Sequence, residues 1–308
     1  MVNRFQRKYD CLGSKAFLTI TTNREEKFAE LIFDELIDKI DKFENRFSRF
    51  KDSSELTKIN RSAGTRTEIS QPMKEILLKV QDYSKITHGV FNPFILPTLQ
   101  KVGYKNSWNS PETDSPDFSG DVLADYKDLK IKDNSLKIPE QSAIDLGGIG
   151  KGYLLGQLSL FLDKKNLDGY WLSLGGDIIC KGININKQPF EINIASSLDG
   201  NKTIDSIVLK NNHKISIATS GITKRNGYKN NSSWHHLINP KTKSPSKNNI
   251  LSATVIAGEA STADVIAKSI VIEGEEFAKL ALNKQWITGY LMQCLDKAQN
   301  LSIIRKGI

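Results

Sequence analysis

Asp145-Leu146-Gly147-Gly148-Ile149-Gly150-Lys151-Gly152 sets four glycines, a carboxylate and a lysine between an apolar entry and an apolar, helix-like exit. Glycine lets a backbone turn sharply and approach a ligand closely. Amides at a helix start attract anions, and Lys151 adds a full positive charge. The stretch reads as a turn into a helix that cradles a phosphate. It matches neither of two familiar cradles. A Walker A loop ending on Gly150-Lys151 requires glycine where Asp145 stands and Ser or Thr where Gly152 stands. A dinucleotide fingerprint starting at Gly148 requires glycine where Tyr153 stands.

Upstream of the cradle, residues 24–48 carry Phe28, Leu31, Ile32, Ile40, Phe43 and Phe47 among charges, a spacing that predicts a long amphipathic helix. Residues 71–87 repeat the pattern, with Pro72 at the entry and Gly89 just past the exit. Asn, Ser, Pro, Asp and Gly crowd residues 105–121, which predicts an exposed loop and a candidate lobe boundary. Downstream, 153–165 reads as a helix and 170–180 as a strand broken at Gly175-Gly176. Strand-like runs follow at 190–195, 204–209, 213–218 and 250–257. Helices over 261–272 and 275–282 precede a closing hairpin over 286–292 and 301–305. Adjacent strands without a crossover helix between them favour a mixed α+β fold over a doubly wound parallel sheet. Residues 1–308 are expected to form a single domain.

At 308 residues the chain can bury a large core. Its 39% hydrophobic and 25% charged residues are ordinary for a soluble protein. No run approaches the ~18 apolar residues of a membrane helix, so the chain is not expected to span a membrane. The net charge is +8, but the lysines are scattered and interleave with no aromatic stripe. That pattern argues against nucleic-acid binding and suits an anionic small ligand or an acidic partner. Cys11, Cys180 and Cys294 are odd in number and widely separated, which argues against a disulfide framework or a cysteine zinc site. The first residues, Met1 to Lys8, carry charge and no apolar core, so the chain as it stands is expected in the cytoplasm, and exported if a leader has been removed.

Four further segments stand out: Phe47-Ser-Arg-Phe50 with Ser54-Glu-Leu-Thr-Lys-Ile-Asn60, Thr87-His-Gly-Val-Phe-Asn-Pro93, Thr219-Ser-Gly221 with His236-Leu-Ile-Asn-Pro240, and Ala263-Asp-Val-Ile-Ala-Lys268. With the cradle and Leu174-Gly-Gly-Asp177, and in this order, they resemble the ApbE family of flavin transferases from about Cys11 to Gly274. That family takes FMN from FAD, releases AMP and attaches FMN through a phosphoester to a Thr or Ser of a target protein. The resemblance implies ApbE-like mixed sheets with flanking helices and a flavin cleft between two packed lobes.

Residue by residue, the resemblance implies FAD contacts at Leu12, Phe50, Val90, Phe91, Asn92, Asp145, Lys151 and Ile238. It also implies a target-protein partner whose hydroxyl loses its proton to His236, which stands in the His-x-x-Asn-Pro motif. The other histidines read as structural. A family Mg²⁺ on the pyrophosphate would fall to Gly148, Asp264 and position 268, with Ala267 as another carbonyl donor. Lys268 stands there in place of the family threonine. A divalent ion about 4 Å from an ammonium meets repulsion of about 8 kcal/mol at an effective dielectric near 20. Lys268 is therefore expected either to replace the cation, pairing with Asp264 one helical turn away, or to turn outward. Phe50 and Asn92 also depart from the family's usual Tyr and Asp. Two alternatives stay open: hydrolysis of FAD to FMN and AMP, and a flavin-binding protein with weakened or lost catalysis.

Overall fold

The computed structural model describes residues 2–107, 115–209, 213–229 and 232–307. Its frame is one eight-stranded sheet, and every neighbouring pair in it is antiparallel. In chain order the strands are β1 (Asn3–Cys11), β2 (Ser14–Thr22), β3 (Gly169–Leu174), β4 (Asp177–Gly182), β5 (Ile215–Gly221), β6 (Ile250–Ala257), β7 (Gly289–Leu295) and β8 (Leu301–Lys306). They lie side by side in that same order.

The helices are α1 (Glu26–Phe47), α2 (Glu55–Arg61), α3 (Gln71–Ile86), α4 (Leu96–Val102), α5 (Gly150–Leu162), α6 (Ala260–Glu273) and α7 (Glu275–Asn283). α1 buries Ala29, Ile32, Phe33, Leu36, Ile40, Phe43 and Phe47, the three-or-four spacing of one helical face. Leu31, expected on that face, is exposed. These side chains join α3, α5 and β1–β3 in one core cluster. A second cluster packs α6 and α7 onto β6 and β7. A third involves β4 to β7 and a two-stranded ribbon, Glu191–Ala195 with Thr203–Val208. Where the first two clusters meet, α5 and α6 pack closely enough that a Cβ on Gly152 would collide with the Ala260 carbonyl.

The α+β expectation holds. The break at Gly175-Gly176 is the two-residue turn between β3 and β4, with φ of +60° and +97°, and the closing hairpin is β7–β8. The helix placed at 153–165 begins three residues earlier, because Gly150, Lys151 and Gly152 form its first turn. The β1–β2 hairpin, α2 and α4 were not foreseen. Of the loop expected at 105–121, residues 115–120 carry no regular structure, and 108–114 lie outside the described residues. No described helix is long and apolar enough to cross a membrane.

Candidate active site

The cradle is built from several directions. Asn60, at the end of α2, is buried, and its side chain clasps the backbone of Ile144: Nδ2 donates to the carbonyl at 2.9 Å and Oδ1 accepts from the amide at 2.8 Å. The next amide, of Asp145, donates to the Pro93 carbonyl at 2.8 Å. Asp145 then accepts from its own turn, Gly147 N–H to Oδ2 at 3.0 Å, and from Arg49, whose Nε lies 3.1 Å from Oδ1. Gly148 has the Phe91 ring against it: a Cβ there would come within 2.7 Å of the ring edge. These contacts deliver the chain to the first turn of α5 with no side-chain cap, leaving that turn to face a cleft.

One cleft gathers almost every residue implied by the resemblance. Leu12, Phe50, Val90, Phe91, Asn92, Asp145, Gly148, Lys151, His236, Ile238 and Lys268 line it together, with about 1310 Å³ of empty volume including its open mouth. Asp264 stands buried behind Lys268, and Ala267 is buried within α6 away from the wall. Asn92 holds its own loop: Oδ1 caps the Phe94 amide at 3.0 Å and Nδ2 donates to the Ala124 carbonyl at 3.0 Å. An aspartate lacks that second donor, which gives a local reason for asparagine here.

Two buried ion pairs sit at the floor. Lys151 pairs with Asp177, and Lys268 pairs with Asp264. Each carboxylate also accepts a backbone amide, Thr219 N–H to Asp177 Oδ1 at 3.2 Å and Gly152 N–H to Asp264 Oδ2 at 3.0 Å. Burial disfavours the charged form of Asp264, but Lys268 and Lys151 outweigh it and hold the carboxyl below its usual range. Burial likewise works against the Lys151 ammonium, and Asp177 with Asp264 raises it above the ordinary lysine value. The ammonium groups line the cleft and the carboxylates stand behind them, so an entering ligand meets positive charge.

His236 enters from the segment after the hairpin formed by Asn226–Lys229 and Ser232–His235. Its Nδ1 lies 3.3 Å from the Arg225 carbonyl, so a proton on Nδ1 leaves Nε2 as the acceptor. Burial, then the Arg225 and Lys268 charges, pushes the imidazole down to about 3. Tyr104 packs edge-on at 6.1 Å between centroids and also contacts Phe50 and Trp234.

Magnesium does not fit the donors foreseen for it. It requires oxygen ligands in near-octahedral array. Position 268 offers an ammonium, and both Asp264 oxygens already accept, one from Lys268 and one from Gly152. Ala267 does not reach the cleft wall. Among the described residues, no group of three or more His, Cys, Asp or Glu could hold a metal ion. Of the two expectations for Lys268, the inward pairing is found.

Reasoning on sequence missed Arg49, Asn60, Tyr104, Asp177 and Arg225. Arg49, Asn60 and Asp177 lie inside segments that stood out, but each acts through a partner distant in the chain.

The sequence model of the ApbE family matches residues 12–291. The FAD:protein FMN transferase of Haemophilus influenzae is 26% identical over 257 residues, covering 80% of this chain and 74% of that protein. The protein of the same name from Klebsiella pneumoniae is 26% identical over 280 residues, covering 87% and 78%. Among solved structures, the flavin transferase ApbE from Vibrio cholerae superposes with a TM-score of 0.80 at 21% identity, over 99% of this chain and 98% of that one. The ApbE protein of Thermotoga maritima gives 0.81 at 22% identity, over 97% and 96%.

Proposed function

The chain belongs to the ApbE family, and from that premise we infer that it transfers FMN from FAD to a serine or threonine hydroxyl of a target protein, with AMP as the leaving group. The observation that carries this reading is the convergence of Lys151, Lys268 and His236 on one cleft floored by the glycine turn of α5. Ammonium groups and helix-start amides suit a pyrophosphate. The apolar wall of Leu12, Val90, Phe91 and Ile238 suits the flat ring of a flavin.

The acceptor hydroxyl attacks the FMN phosphorus. A new P–O bond forms, the bond from that phosphorus to the bridging oxygen breaks, and AMP leaves with that oxygen and its electron pair. The hydroxyl proton passes to Nε2 of His236, which is neutral and has its other nitrogen facing the Arg225 carbonyl. Lys151 and Lys268 offset the charge on the phosphate oxygens throughout.

The test is incubation with FAD and a peptide carrying an acceptor serine or threonine, reading AMP release and peptide mass. A flavinylated peptide with equivalent AMP is expected. AMP released without any acceptor would replace transfer by hydrolysis, and bound FAD with neither product would leave a binding protein.

A further inference from the structure

Lys268 and Asp264 lie one turn apart on α6, and the pair is 14% and 1% exposed. Both oxygens of the carboxylate are already engaged. Oδ1 accepts from the Lys268 ammonium, and Oδ2 accepts from Gly152 N–H at 3.0 Å. α5 and α6 pack closely there, so that a Cβ on Gly152 would stand 2.8 Å from Asp264 Cβ. Beside it, Lys151 and Asp177 form a second pair, with Asp177 held by Thr219 N–H. Two ammonium groups and two carboxylates make this floor neutral without an added ion. Its cations face the cleft and its anions lie behind.

We propose that the Lys268 ammonium is the resident cation of this site, so that the chain binds and polarises the FAD pyrophosphate without a divalent metal. This rests on the flavin-transferase reading above. An ammonium has three N–H donors. Asp264 takes one through its carboxylate, and its carbonyl lies 3.4 Å from Nζ. At least one donor remains for a phosphate oxygen. A divalent ion approaching Asp264 or Asp177 from the cleft would instead meet the Lys268 and Lys151 ammonium groups, which line the cleft where those two carboxylates do not.

The test compares FAD binding, read by quenching of flavin fluorescence, in EDTA and in excess Mg²⁺, with Mn²⁺ as a paramagnetic probe of metal uptake. For the unaltered protein, FAD affinity is expected to change less than about twofold, against the multi-kcal linkage of a resident metal. Its mixture with FAD and Mn²⁺ should keep the spectrum of the free ion. Lys268→Thr is expected to lose about 10- to 100-fold in FAD affinity in EDTA, the range for a charged hydrogen bond. That variant should recover affinity with Mg²⁺ and immobilise Mn²⁺. Lys268→Met, which removes the charge and adds no oxygen, should lose affinity without recovery.

Mn²⁺ uptake by the unaltered protein with FAD, or FAD affinity raised about tenfold or more by Mg²⁺, overturns the assignment of Lys268 while leaving the flavin reading intact. No FAD binding in either buffer overturns both.

Discussion

Arg49 Nε stands 3.1 Å from Asp145 Oδ1, with the guanidinium carbon 4.1 Å from the Phe50 ring centre and 4.9 Å from that of Tyr104. Its remaining N–H groups donate to the carbonyls of Tyr104 at 3.1 Å and Lys105 at 3.2 Å. The side chain is only 4% exposed, so the pair is deeply desolvated. Arg49 thus fixes the first residue of the cradle from the end of α1 and ties the strand-free segment after α4 to the same point. Removing one partner of such a pair leaves a buried charge. Arg49→Ala is expected to lower the unfolding free energy by about 3 kcal/mol or more. Arg49→Lys should fall between, since one ammonium cannot serve three acceptors in fixed directions. Urea denaturation followed by tryptophan fluorescence reads both, and equal stability of Arg49→Ala and the parent would refute the role.

Asn60 supports the same turn through uncharged bonds. Replacing it by Ala strands the Ile144 amide and carbonyl in the core. The expected loss is about 2–4 kcal/mol, one desolvation penalty for each abandoned group. Asn60→Asp keeps the shape but presents a carboxylate oxygen to a carbonyl, so it should gain no stability over Asn60→Ala at neutral pH. FAD affinity should fall in both variants even at temperatures where each remains folded, because the turn they release carries Asp145. Unchanged FAD affinity in folded Asn60→Ala would separate this clasp from the site.

How far the sequence reaches can be judged from these two residues. The glycine turn, the amphipathic faces of α1 and α3, and the β3–β4 and β7–β8 hairpins are local patterns, so periodicity and turn chemistry reveal them. Lys268 was flagged by its substitution, and its i,i+4 pairing with Asp264 is also local. Arg49 and Asn60 are different. Their side chains reach backbone and carboxylate groups brought near only by folding, and no spacing rule connects positions 49 and 145 or 60 and 144. The β1–β2 hairpin escaped for another reason. Its turn is Leu12-Gly13, and a leucine at φ +52° is not what a hairpin turn advertises.

Leu12 is therefore a residue whose conformation and contact pull in opposite directions. Its positive φ costs about 1 kcal/mol for a side chain with a Cβ, yet it lines the cleft. Leu12→Asn tolerates the left-handed backbone better and is expected to raise thermal stability slightly, by about 0.5–1 kcal/mol, while weakening FAD binding through loss of an apolar wall. A thermal melt and a binding isotherm on one sample decide it. Lower stability together with unchanged FAD affinity would contradict both halves.

His236 makes the sharpest pH statement. Burial and the neighbouring Arg225 and Lys268 hold its imidazole at about 3 in the free protein, so it is the neutral, proton-accepting form well below the ordinary histidine range. Since kcat/KM reports the free enzyme, its acid limb should be absent down to about pH 4, whereas the acid limb of kcat should lie at higher pH because the bound pyrophosphate raises the imidazole. Stability carries the same sign. Between an unfolded value of about 6.5 and the folded value of about 3, the unfolded chain binds the extra proton. The contribution is fully present above the upper value and is lost as pH falls toward the lower one. His236→Asn should remove that share of the acid sensitivity and reduce transfer by about 10²–10⁴-fold, with FAD affinity nearly unchanged. A kcat/KM profile breaking near pH 6.5 in the parent would mean that the histidine is solvated and charged in the free protein, which its packing between Tyr104 and the Arg225 carbonyl does not allow.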